Sequence, residues 1–293
     1  MNQATGTLGP AVLAGLLDSN LFEITVLTRG RPQRNFPANV AVKVVDYTSV
    51  ASLEAALRGQ DALVSAMAFE AIDVQRNLVD AAVNAGVRRM IPSEYGNDTQ
   101  NPKLATLPIY LPKIAVREYL NTKVASNPGF SYTIIMNASF LAPGFALDFI
   151  VDVKNKKCNV KDGGDVLFSC ATLETIAQAV VGVLNHFEET ANRPVKISDR
   201  DTTQKELISI AKEIDPSGEW QIVHTKTEDL EREAHESWAK GDHSPEVIDK
   251  FINRAFLGPG WGGLFEQKDN ELLGIKGLDR NGLKSIVQTA MAA

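Results

Sequence analysis

Gly6 and Gly9 stand three residues apart in Ala4-Thr5-Gly6-Thr7-Leu8-Gly9-Pro10, at the head of an apolar run over residues 8–17. A glycine at the first site lets backbone approach a phosphate, and one at the second lets a helix pack close to a sheet. The N-terminus of that helix presents unpaired N–H groups and a partial positive charge. Gly6, Thr7, Leu8 and Gly9 are therefore assigned to a phosphate-binding turn, the alternative being a plain loop-to-helix turn. Arg29 ends a β-branched run about 20 residues beyond Gly9, where a dinucleotide fold carries the residue that meets the adenosine ribose. The segment Thr28-Arg29-Gly30-Arg31-Pro32-Gln33-Arg34 holds three arginines and no acid. A carboxylate there would take the ribose hydroxyls, whereas a guanidinium pairs with a phosphate in a bidentate manner. The pattern favours NADP(H) over NAD(H); a solvated basic loop is the other reading.

The elements that must hold these residues show in the hydrophobic pattern. Short β-branched runs at 22–28, 40–45, 62–67, 87–91 and 132–136 read as strands. Between them, residues 8–17, 50–57, 74–85 and 113–124 place apolar side chains at helical spacing. The alternation predicts βαβ units, hence an α/β fold with a doubly wound parallel sheet of the Rossmann type. Residues 1–145 are assigned to a dinucleotide-binding domain and 146–293 mainly to a smaller substrate-binding region of helices and loops. A segment near 172–200 is expected to return to the first domain, with 195–198 rejoining the sheet. In the last third, Thr203-Gln204-Lys205-Glu206 reads as a capping box and Ser244-Pro245 as an N-cap followed by proline at the first helical position. Residues 258–263 (GPGWGG) read as a loop.

One element is wanting. No apolar strand precedes Gly6, and Gln3 stands where such a fold has its first glycine. The expectation is a sheet without its first strand, with an edge in mid-sheet and one wall of the cofactor site lost. It implies either a true start upstream of Met1 or a form crippled in cofactor binding.

Composition bounds the remaining classes. A chain of 293 residues with 44% hydrophobic and 23% charged residues is globular, and it buries enough surface to need no disulfide or metal. A net charge of −6 offers phosphate backbones little, so nucleic-acid binding is not expected. No run of 18 apolar residues exists, and no basic-then-apolar leader opens the chain. Cys158 and Cys170 form no CxxC, which suits a reducing cytosol. His186, His224, His235 and His243 lack metal-ligand spacing, so no metal is expected.

Several segments in order resemble the NmrA-like, isoflavone-reductase-like proteins, which are atypical short-chain dehydrogenases. They are the glycine turn, Val26-Leu27-Thr28-Arg29, Val64-Ser65-Ala66, Arg89-Met90-Ile91-Pro92-Ser93-Glu94-Tyr95-Gly96, Pro112-Lys113-Ile114-Ala115-Val116-Arg117 and Asp269-Asn270-Glu271-Leu272-Leu273-Gly274, the last like fungal members. Short-chain dehydrogenases usually carry a Tyr four residues before a Lys. Tyr119 and Lys123 have that spacing but lie too far along their helix, and Ile109 stands four residues before Lys113. The resemblance instead implies a lone lysine, Lys113, acting as acid or base beside the nicotinamide, with Tyr110 adjacent to it. It also implies contact of Asp46 with the adenine, although Asp46 equally suits a helix cap. Ser65 ends a strand at the carboxyl edge, where it either lets a dinucleotide lie against backbone or packs the core; Asn137 and Phe140 are assigned to the nicotinamide end. Trp238, Trp261 and Phe265 read as either a substrate wall or buried anchors.

Two functions follow from the resemblance. The first is a cytoplasmic NADPH-dependent oxidoreductase, monomer or homodimer, reducing a small apolar or aromatic secondary-metabolite-type substrate. The second is a non-catalytic regulator of the NmrA type that senses NADP(H).

Overall fold

The structure, a computed structural model, describes residues 6–30, 36–146 and 149–292. Strands β1 (Ile24–Thr28), β2 (Val40–Val44), β3 (Ala62–Val64), β4 (Arg89–Ile91) and β5 (Ser131–Met136) alternate with helices α1 (Gly9–Ser19), α2 (Val50–Leu57), α3 (Gln75–Ala85) and α4 (Leu111–Ser126). These are the expected elements with ends shifted by a few residues, because terminal turns depend on local hydrogen bonds rather than on periodicity. Residues 69–74 form a separate 3₁₀ turn ahead of α3. After β5 come β6 (Ser139–Phe140), α5 (Leu141–Ala146), β7 (Lys157–Lys161), β8 (Phe168–Ala171), α6 (Leu173–Asn185), β9 (Arg193–Lys196) and β10 (Arg200–Thr202). The chain ends through α7 (Gln204–Ile214), β11 (Gln221–Thr225), α8 (Thr227–Ala239), α9 (Pro245–Leu257) and α10 (Arg280–Ala292).

All pairings in the main sheet are parallel, and they run β2-β1 and β3-β4-β5-β9. Adjacent strand residues face opposite layers. Val26, Val64, Ile91, Ile135 and Val195 pack with α1 and α6, while Leu27, Leu63, Met90 and Ile134 pack with α2, α3 and α4. Two such cores, one on each face, define a doubly wound sheet. Helix α1 crosses α6 closely at Gly15, where an added Cβ would lie 3.0 Å from that of Ala177.

Among the described residues, β1 and β3 are not hydrogen-bonded to each other, so the sheet is in two pieces. A cavity of about 290 Å³ lies between them, lined by Leu16, Ile24, Thr25, Ala62 and Val64. Residues 1–5, including Gln3 and the start of the glycine turn, lie outside the described residues.

The region after residue 145, read from the sequence as mainly helices and loops, also holds strands. It contributes a three-stranded sheet, β10-β8-β6, and a parallel pair, β11-β7. These strands were hidden because they are short and partly polar, as in Arg200-Asp201-Thr202 and the largely exposed Gln221–Thr225. Thr203 caps α7, its hydroxyl accepting from Glu206 N at 3.0 Å. Ser244 precedes α9 as expected, but its side chain makes no capping bond.

Candidate active site

Because the strands are parallel, their carboxyl ends gather at one edge of the sheet. A cleft of about 390 Å³ opens there, bounded by Gly6, Thr7 and Leu8 on one side and by Ala66, Met67, Glu94 and Lys113 on the other. An added Cβ at Gly6 would meet nothing within 4 Å, so this backbone faces open space. Gly9 begins α1, with Pro10 in its first turn, and four residues on, Leu13 is in the core. Ser65 is fully buried after β3, with its N–H on the Ile91 carbonyl at 2.8 Å and its hydroxyl unpartnered. Asn137 is also fully buried; its Nδ2 donates to Ala138 O at 3.1 Å and its Oδ1 has no partner.

Lys113 stands in the first turn of α4, half-buried, and its Nζ donates to the main-chain carbonyl of Glu94. Burial pulls the lysine below its ordinary pKa, and the charge of Glu94 partly opposes this. Burial pushes the Glu94 carboxyl up, against the pull of Lys113 and Arg117. Glu94 is 4% exposed, and its Oε1 accepts no hydrogen bond.

The turn that carries Glu94 is held rigidly. Ser93 N donates to Gln75 Oε1 at 2.6 Å, and Ser93 Oγ donates to Met67 O at 2.9 Å. The Gly96 carbonyl accepts from both Asn137 N and Ala138 N. Tyr95 and Ala138 flank it at φ 31° and 51°, a region that costs a non-glycine residue on the order of 1 kcal/mol or more. Strained residues of this kind cluster at ligand sites.

A second cavity, of about 310 Å³, adjoins the cleft. Lys113, Tyr95 and Phe140 line both spaces, so Lys113 stands where they meet. The second cavity is walled by Ile109, Tyr110, Phe149, Ile252 and Phe256. Tyr110 is buried, and burial raises its phenol well above the ordinary value. Phe140 sits at the junction.

The remaining expected residues are placed as follows. Arg29 is exposed just past the end of β1, close enough to Tyr47 for its charge to act on that phenol. Arg31 and Arg34 lie outside the described residues. Asp46 is exposed, and its Oδ1 accepts from both the N–H and the hydroxyl of Thr48 at 2.9 and 2.7 Å. The cap of α2 is Ser49, not Asp46: Ser49 Oγ accepts from Ser52 N. Tyr119 and Lys123 both bind Asp80, each at 2.6 Å, and line neither space. Trp261 and Phe265 are core residues, and Trp238 stacks on His243 with ring centres 4.0 Å apart, so all three are anchors rather than a substrate wall.

Sequence reasoning missed Glu94, Tyr95, Asn97, Ser139, Phe149, Ile252 and Phe256. A signal existed for some of them. Glu94 and Tyr95 lie inside a segment quoted for the resemblance, and Ile252 and Phe256 sit four apart on one helix face.

No helix among the described residues is long and apolar enough to cross a membrane, and no group of three or more His, Cys, Asp or Glu among them is placed to hold a metal.

Comparison with known proteins agrees with this geometry. The chain is 30% identical over 241 residues to oxidoreductase aprR of Aspergillus flavus, covering 81% of this chain and 80% of that protein. It is 29% identical over 293 residues to oxidoreductase poxI of Penicillium oxalicum, covering 94% and 88%. Among solved structures, the leucoanthocyanidin reductase–NADPH complex of Vitis vinifera superposes with a TM-score of 0.79 at 19% identity, covering 100% of this chain and 98% of that one. An isoflavone reductase superposes with a TM-score of 0.76 at 16% identity, covering 98% and 97%. The model of the NmrA-like family matches residues 2–221, and with that the chain belongs to the NmrA-like family.

Proposed function

We propose that this chain is an NADP(H)-dependent oxidoreductase that reduces a small apolar or aromatic carbonyl compound of the secondary-metabolite type, with Lys113 as acid and base. The observation that carries the reading is the meeting of two cavities at Lys113, one edged by the glycine turn and the other by aromatic and aliphatic side chains. Relatives named oxidoreductases and structural neighbours solved with NADPH support it.

The residues present fit a dinucleotide. The start of α1 and the open backbone of Gly6 suit its pyrophosphate, Arg29 suits a 2′-phosphate, and Asp46 lies toward the adenine end. The unpartnered Ser65 Oγ and Asn137 Oδ1 are polar atoms awaiting a ligand group. On this reading residues 1–145 hold the cofactor and 146–293 close over the substrate.

The bound dinucleotide would supply the hydride. Everything else falls to the chain. Phe140 and the aromatic wall orient the acceptor and exclude water. Lys113 delivers a proton to the developing oxyanion from Nζ, and its lowered pKa makes the ammonium a better acid than a solvated lysine. The Glu94 carbonyl aims that nitrogen. The compartment implied is a reducing cytosol, as expected of a chain with two cysteines and no CxxC.

A second reading, a regulator that senses NADP(H) without turnover, draws on the fact that Tyr119 and Lys123 are committed to Asp80. Replacing Lys113 with Ala separates the two. The enzyme reading requires NADPH binding in a fluorescence titration and NADPH oxidation with some member of a panel of aromatic ketones and enones. It also requires a fall in rate of about 10²- to 10⁴-fold in Lys113→Ala. A wild-type protein that fails to bind NADPH would sink it.

A further inference from the structure

The substrate-side cavity has two unlike walls. One is apolar, formed by Ile109, Phe140, Phe149, Ile252 and Phe256. The other carries Tyr95, Asn97 and Ser139, which are 6%, 2% and 2% exposed. Four polar atoms on that wall make no hydrogen bond: Tyr95 Oη, Asn97 Oδ1, Asn97 Nδ2 and Ser139 Oγ. Buried polar atoms in folded proteins are nearly all paired, and each one left unmade costs about 1–3 kcal/mol. A cluster of four in one cavity next to Lys113 is therefore a binding surface lacking its complement.

Asn97 is the centre of it. Its amide offers a donor and an acceptor side by side. Its main chain cannot swing away, because the Gly96 carbonyl is held by two N–H groups and Asp98 N donates to Gly262 O. The side chain of Asp98 is tied to Lys196. A hydroxyl on the substrate can give its proton to Asn97 Oδ1 and accept one from Nδ2, Ser139 or Tyr95. An ether or a hydrocarbon edge leaves Oδ1 unpaired.

We propose that Asn97 is the specificity-determining residue of this site, selecting carbonyl compounds that also bear a free hydroxyl group. The proposal rests on the reading of Lys113 as the reacting end of the same cavity.

The test uses 1-tetralone, 6-methoxy-1-tetralone and 6-hydroxy-1-tetralone as probes, with the protein saturated in NADP⁺. Binding is measured by equilibrium dialysis, and NADPH oxidation is followed in parallel. The wild type should hold the hydroxy probe at least tenfold tighter than the other two, since a site built to hydrogen-bond a hydroxyl rejects analogues that lack it. Asn97→Leu should erase the preference while the NADPH dissociation constant stays within twofold. Asn97→Ala, with a thermal melt, serves the same purpose if the leucine variant does not fold. Equal affinity for the three probes, failure of all three to bind a protein that binds NADPH, or an unchanged preference in the variants would each overturn the assignment. Absence of NADPH binding would instead remove the reading beneath it.

Discussion

Lys113 donates to the main-chain carbonyl of Glu94, while the carboxyl group of that same residue is buried with Oε1 unpaired. Among the described residues no ion pair within 4.0 Å joins them. The two groups are pushed toward neutrality by the same burial, the lysine downward and the acid upward.

This pair sets a pH dependence of stability. The folded-state pKa of Glu94 lies above its unfolded value of 4.5. Below that value both states carry the proton; as pH rises through it toward the folded value, the unfolded chain ionises first and the folded state loses stability. Glu94→Gln cannot ionise, so its melting temperature relative to the wild type should climb from pH 4 to pH 7. Each 1 kcal/mol corresponds to roughly 2–4 °C in a chain of this size class. A constant difference across that range would mean that Glu94 titrates alike in the folded and unfolded states.

Cofactor choice should follow Arg29. Arg29 is exposed just past the end of β1, and on the proposed reading its guanidinium meets the 2′-phosphate. A charge-assisted hydrogen bond contributes about 1.5–3 kcal/mol, so Arg29→Ala should weaken NADPH about 10- to 100-fold. NADH, which lacks the phosphate, should change by less than twofold. Titrations of both cofactors against both proteins read the ratio directly.

Arg89 is a fully buried cation at the start of β4. It donates to Ser131 at 2.9 Å, Thr133 at 2.8 Å and Thr190 at 3.0 Å, and its guanidinium lies 4.1 Å from the Phe187 ring centre. Burial pulls its pKa down to about 10. Arg89→Met removes these bonds and leaves part of the polar cage unpaired, at a cost of about 3 kcal/mol. Chemical denaturation should register that loss without any change in the denaturant slope, and NADPH affinity in the folded variant should be unchanged because Arg89 is at the opposite end of the strand from the cleft.

Much of the fold was present in the linear pattern. The β-branched runs and helical spacings before residue 136 define both faces of the parallel sheet, because period-2 and period-3.6 burial depend on local geometry alone. The glycine turn could be named from the chain because a phosphate turn is a local feature; Lys113 was singled out only through the resemblance to a family, since a lysine at a helix start is by itself ordinary. What the chain did not reveal was which residues surround Lys113. Asn97, Ser139, Phe149 and Phe256 come from four separate segments and share one cavity. Their types carry no mark of function, since an asparagine in a loop and a phenylalanine on a helix are common everywhere. Only their burial without partners, or around an empty space, distinguishes them, and burial is a property of the assembled layers. The sequence by itself thus determined the scaffold and, through a resemblance, pointed to one lysine; the tertiary structure decided what surrounds it, because distant residues become neighbours only when the sheet's carboxyl edge and the C-terminal helices pack together.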